Sequence, residues 1–191
     1  MTVETALLAY FVAATLLAIT PGLDTAMVLR TALAEGPRRA AMAAMGIGCG
    51  CLAWGLGVAL GLGALLAASK AAYAMLRWAG AAYLCWLGAN LILRPRSRFE
   101  LGVPPTGGGN WWERGLATNL LNPKVGAFYV SFLPQFVPAN VPAAPFIMLL
   151  ASIHVALGLI WSTCLILAAH PAKRWLQRRA VLRWLDRATG T

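Results

Sequence analysis

Apolar runs long enough to cross a bilayer alternate with short charged clusters along this chain, and that alternation is its dominant pattern. A membrane helix needs about 20 mostly apolar residues. Runs of that size lie at about 5–29, 40–69, 71–93, 115–137 and 146–169, followed by a basic tail over 171–191. The pattern predicts an all-α polytopic membrane helix bundle with five transmembrane segments, forming one domain over 1–191. The second run contains no charged residue and is threaded with glycines. Its pairs Gly46/Gly50 and Gly57/Gly61, each four residues apart, are expected to let a neighbouring helix approach closely. Pro134, Pro138, Pro142 and Pro145 predict a non-helical turn between the fourth and fifth segments.

Two of the runs carry polar interruptions. Thr20, Pro21, Gly22 and Asp24 break the second half of the first, and Asn119, Asn122, Pro123 and Lys124 break the fourth. Proline has no N–H and clashes with the carbonyl four residues back, so each helix kinks or breaks there. A charge at the centre of a bilayer costs about 3 kcal/mol or more unless it reaches a partner or water. Irregular backbone at that depth is tolerated only where protein buries it or a wet cavity meets it. Asp24, Lys124, Asn119 and Asn122 are therefore the leading candidates for a polar pathway, with Pro21, Gly22 and Pro123 as the helix breaks. The competing reading of the fourth segment is a plain proline kink with Lys124 snorkelling to an interface. His154 in the fifth run and Gln135 at the end of the fourth are lesser candidates; a lone histidine in a bundle more often serves packing through a hydrogen bond.

Composition narrows the class. The 191 residues are 60% hydrophobic and only 12% charged, whereas about a quarter of a soluble domain is charged. The net charge of +10 does not point to nucleic acid, because the basic residues sit in clusters between apolar runs and form no folded basic face. Arg30, Arg38 and Arg39 follow the first segment, Arg94, Arg96, Arg98 and Arg114 follow the third, and the tail is basic; the alternate loops are nearly devoid of Lys and Arg. By the positive-inside rule the N-terminus lies outside and the tail after the fifth segment is cytoplasmic. In that tail the arginines are interleaved with Trp175 and Trp184, a mixture suited to an anionic membrane surface. Cys49, Cys51, Cys85 and Cys164 fall inside apolar runs without Cys-x-x-Cys spacing, and no Asp/Glu/His cluster has ligand spacing. No metal, no cofactor and no enzymatic activity is expected.

The two breaks occupy matching places in the chain, each followed at a similar distance by a second proline, Pro37 and Pro138. This suggests an inverted repeat of three helices, in which a substrate site lies at the repeat interface near the midplane. Thr20-Pro21-Gly22-Leu23-Asp24, the glycine-rich second segment, Gly80 to Gly88, and Gly115 through Asn122-Pro123-Lys124 to Phe136 resemble the LysE/RhtB family of amino-acid exporters along nearly the whole chain. The family usually has a second proline after Pro-Gly; Leu23 stands there here. The resemblance implies a bacterial inner-membrane protein that exports amino acids or derivatives against proton entry, with homo-oligomerisation left open. Near Thr191 the sequence resembles the family's approach to a sixth helix, so the repeat is expected to lack its last helix and to leave an exposed apolar groove beside segments four and five. The alternative is a truncated or non-transporting membrane structural or assembly protein.

An amino acid offers a carboxylate and an ammonium, which Lys124 and Asp24 would complement in one cavity. Without substrate the two are expected to pair with each other, lowering the cost of burying either. Asp24 is also the expected proton carrier, since a carboxyl shielded from water binds a proton more readily than one in water.

Overall fold

The computed structural model describes residues 1–68, the helical positions 71, 74, 75, 78, 79, 81, 82, 85, 86 and 89, and residues 110–176, with side chains described up to residues 61 and 169 in the two long stretches. Every regular element among these residues is helical. Helix α1, Val3–Ile19, starts at Thr2, whose Oγ1 accepts from the Thr5 amide at 3.2 Å. Beyond Glu4 it is largely apolar around its circumference, as suits a helix in lipid. Tyr10 lies between Ala6 and Ala14, one helical turn from each, and this face is fully buried, while Leu8, Phe11, Val12 and Leu16 are exposed around the rest.

The first segment is two helices. α1 stops at Thr20, which takes the extended conformation the residue before a proline prefers, and α2, Leu23–Ala34, leaves Gly22 at 50° to it. After a turn at Gly36, whose φ of 91° only glycine adopts readily, α3 runs from Pro37 to Ala68, with proline at the helix start where its missing N–H costs nothing. Its stretch Pro37–Gly61, the stretch Ala143–Ala169 of the last helix, and the bent pair α1–α2 taken together are each long and apolar enough to cross a membrane. The third predicted segment, 71–93, lies largely outside the described residues, as does most of the tail 171–191.

The fourth segment is more broken than one proline requires. α4, Trp111–Leu120, is capped by Asn110, whose Oδ1 accepts from the Trp112 amide at 3.1 Å. α5, Pro123–Ala127, is capped in the same way by Asn122. A wide π-helical turn, Phe128–Phe132, and a tight 3₁₀ turn, Leu133–Phe136, then complete it. The non-helical turn is shorter than the four prolines predicted, covering 137–142. Pro134 falls in the 3₁₀ turn, and α6, Ala143–Leu176, takes Pro145 into its first turn, where a missing N–H costs nothing. The helix continues through Pro171, beyond the apolar run from which its end was expected. Leu149, Leu159, Ile160 and Leu167 are exposed along it, so the described elements do not enclose this helix.

One buried cluster joins the elements: Ala6, Tyr10 and Ala14 of α1, Cys51 of α3, Val125, Phe128, Tyr129 and Leu133 of the broken segment, and Phe146, Ile147, Leu150 and Ala151 of α6. α3 and α4 cross backbone to backbone. A Cβ on Gly46 would sit 1.9 Å from the Trp112 carbonyl oxygen, and one on Gly115 would sit 2.0 Å from that of Ala43. Gly57 and Gly61 have nothing within 4 Å of a built Cβ among the described residues, so the close-packing face is the Gly46/Gly50 end. Gly46→Ala should therefore lower stability by about 3 kcal/mol, because backbone cannot yield as a side chain would, whereas Gly57→Ala should be neutral or mildly stabilising. Thermal unfolding of the two variants in detergent checks the contrast.

Candidate functional site

The site begins with what the prolines remove. In an unbroken α1 the Leu17 carbonyl would accept from the N–H of residue 21, but Pro21 has none. The ammonium of Lys124 takes that place, donating to Leu17 O at 3.2 Å and to Thr20 O at 3.0 Å. In the fourth segment Pro123 orphans the carbonyl of Asn119 in the same way. That oxygen accepts from the Asn122 amide at 3.0 Å, with the Trp54 indole N–H of α3 a weaker donor at 3.5 Å. The first break is thus closed by a donor from another segment, and the second mainly by an amide of its own turn.

Asp24 stands in the first turn of α2, where the partial positive charge of the unsatisfied amides favours an anion. Its Oδ2 accepts from Asn119 Nδ2 at 2.7 Å and its Oδ1 from Asn122 Nδ2 at 3.2 Å. Both amides come from the break in the other half of the chain. Asn119 is fully buried, and its side chain lies against Gly50, where a Cβ would come within 2.5 Å of Oδ1. A larger residue at 50 would push the amide off the carboxylate. Asn122 does double duty, because its Oδ1 also accepts from the Lys124 backbone amide at 3.1 Å.

The expected ion pair between Asp24 and Lys124 is not formed. The ion pair seen among the described residues instead joins Arg39, in the first turn of α3, to Glu35 at the end of α2. The reason is local: the carboxylate sits at the amino end of α2, and the ammonium reaches the carbonyl end of α1, so each charge meets the helix terminus of opposite sign. Both still line one cavity of about 70 Å³, together with Thr20, Gly22, Cys51, Asn122 and His154. A single water needs about 10–15 Å³ of such space, so the hollow has room for several.

Of the lesser candidates, His154 lines this cavity and its Nδ1 lies 3.0 Å from the hydroxyl of Tyr129, both residues buried. Gln135 is exposed, and its amide folds back onto the Ser131 carbonyl at 2.8 Å, away from the cavity. Pro21 and Pro123 are exposed and act through the backbone they interrupt. Thr20, named from the sequence only as part of the break, lines the cavity with Cys51, while Trp54 and Tyr129 contact Asn119 and His154; the last three were not singled out as site residues from the sequence. A weak signal existed for Thr20, beside the Pro-Gly pair. None existed for Tyr129, whose meeting with His154 depends on how far the π-helical turn rotates it.

The model of the LysE type translocator family matches residues 15–191. A Bacillus subtilis (strain 168) protein named uncharacterized membrane protein YrhP is 29% identical over 195 residues, covering 96% of this chain and 92% of its own. The homoserine/homoserine lactone efflux protein of Salmonella typhi is 29% identical, covering 96% of this chain and 89% of its own. The leucine efflux protein of Enterobacter sp. (strain 638) is 33% identical over 140 residues, covering 69% of this chain and 63% of its own. No solved structure matches.

Proposed function

The chain belongs to the LysE type translocator family, and from that premise we propose that it exports an amino acid or amino-acid derivative across the bacterial inner membrane, coupled to proton entry, through the cavity between its two broken segments. One observation supports this above the rest. Charges and amides from the two halves of the chain cross over, with Lys124 on the carbonyls of the first break and Asn119 and Asn122 on the acid beside it. Carriers built from two repeats bind substrate where discontinuous helices face each other. The proposed repeat, the N-terminus outside and the cytoplasmic tail follow from the matching breaks and the loop arginines.

In this mechanism Asp24 receives the substrate ammonium, or a proton when no substrate is bound. The amides of Asn119 and Asn122 hold the carboxylate in place for either partner. Lys124 leaves the Leu17 and Thr20 carbonyls to meet the substrate carboxylate, and returns when the substrate departs. Proton and substrate then alternate at one acid, which couples their opposite movements. His154 forms part of the cavity wall, with the Tyr129 hydroxyl against its Nδ1.

The test is counterflow in liposomes containing the purified protein and preloaded with unlabelled leucine, threonine or homoserine. Labelled amino acid should accumulate for at least one of them, and an imposed pH gradient should change its rate. Failure with every amino acid would refute export; counterflow that ignores the gradient would refute only the proton coupling.

A further inference from the structure

A second hollow lies away from the transport cavity, at the end where α2 finishes and α4 begins. It measures about 50 Å³ and is lined by Met27, Arg30, Thr31, Ala34, Glu35, Trp111 and Arg114. Its walls are mostly apolar, and two arginines are among the residues that line it. The Arg114 guanidinium lies over the Trp111 ring, 4.6 Å from its centroid. Arg30 Nη2 is shielded from solvent and has no hydrogen-bond partner among the described residues. Leaving a donor of a charged group buried and unsatisfied is costly, so the guanidinium gains by turning toward an oxygen held in the hollow. Glu35, the one acid in the wall, already holds Arg39.

We propose that this hollow binds the phosphodiester of an anionic phospholipid, with an acyl chain against Met27 and Ala34. The occupant follows from the mixture of walls and donors. A free anion would use Arg30 and Arg114 but gain nothing from the apolar surface, and a zwitterionic lipid brings a cation against two arginines. A planar guanidinium presents paired donors that match phosphate oxygens. Tryptophan at the rim is the residue that settles at headgroup depth. Basic pockets between membrane helices on the cytoplasmic side hold such headgroups, and Arg30, Arg38, Arg39 and Arg114 together mark this as the basic end of the described bundle.

The experiment measures binding of phosphatidylglycerol, phosphatidylcholine and inorganic phosphate to the full chain in detergent, by native mass spectrometry and by the shift in unfolding midpoint. Phosphatidylglycerol should be retained and should raise the midpoint, and phosphatidylcholine should not. Arg30→Gln and Arg114→Gln should each weaken its binding about fivefold, as expected for one arginine near an anionic headgroup. Arg38→Gln, at a residue outside the hollow, should leave it within twofold. The proposal is overturned if the two lipids bind alike, if inorganic phosphate reproduces the whole effect, or if folded Arg30→Gln and Arg114→Gln proteins bind phosphatidylglycerol as the parent does.

Discussion

Asp24→Asn should reduce amino-acid counterflow to about one hundredth of the parent rate while the protein still inserts and folds. The asparagine keeps the shape of the side chain but cannot hold an ammonium as an anion or carry a proton. A hydrogen bond to a charged group contributes about 1.5–3 kcal/mol, and the upper figure corresponds to roughly a hundredfold in affinity. The change also has a structural side. Asn119 Nδ2 and Asn122 Nδ2 both donate to the carboxylate; an amide at 24 offers one oxygen to two donors and turns its own NH2 toward one of them. That mismatch should lower stability by about 1–3 kcal/mol, enough to shift an unfolding midpoint without preventing folding. Stability and counterflow are measured on the same preparation. Counterflow at the parent rate from a folded Asp24→Asn protein would remove this acid from the pathway, whatever its geometry.

Much of this arrangement was legible in the sequence because it follows from what proline and charge forbid in lipid. Thr20 to Asp24 and Asn119 to Lys124 read as breaks facing protein or water, against a plain kink with Lys124 snorkelling, and the structure brings Thr20, Gly22, Asp24, Asn122 and Lys124 to one cavity. What the pattern missed was which partner each group takes. Asp24 and Lys124 read as each other's counter-ion when only their signs are considered. The stronger constraint was the backbone, since a carbonyl orphaned by Pro21 needs a donor and Lys124 reaches it. The same omission hid Trp54, whose indole reads as bulk in an apolar run yet points at the carbonyl orphaned by Pro123. Gly46 and Gly50 were recognisable from their spacing, but Gly57 and Gly61 share that spacing and have no close neighbour among the described residues. Spacing marks where a helix can be approached; the crossing of α3 with α4 decides where it is.

Lys124→Met should lower both stability and export, and the substitution that separates the two effects is Lys124→Gln. Methionine fills similar volume without a donor, so the Leu17 and Thr20 carbonyls lose their partner. The loss should cost about 1.5–3 kcal/mol, less wherever water in the cavity replaces the ammonium. These contacts alone would justify the lysine as a staple between the first and fourth segments, which is the role a non-transporting scaffold would give it. Glutamine keeps an N–H donor for a carbonyl and brings no charge. If Lys124 is only a staple, Lys124→Gln should recover most of the lost stability and the export with it. If the ammonium also receives the substrate carboxylate, the same protein should regain its unfolding midpoint while counterflow stays about tenfold or more below the parent, the equivalent of roughly 1.4 kcal/mol. The half-helix amino ends near the cavity stabilise an anion by about 1 kcal/mol at most when exposed, too little to replace the missing charge. Recovery of export together with stability would therefore leave Asp24 as the sole charged group of the pathway.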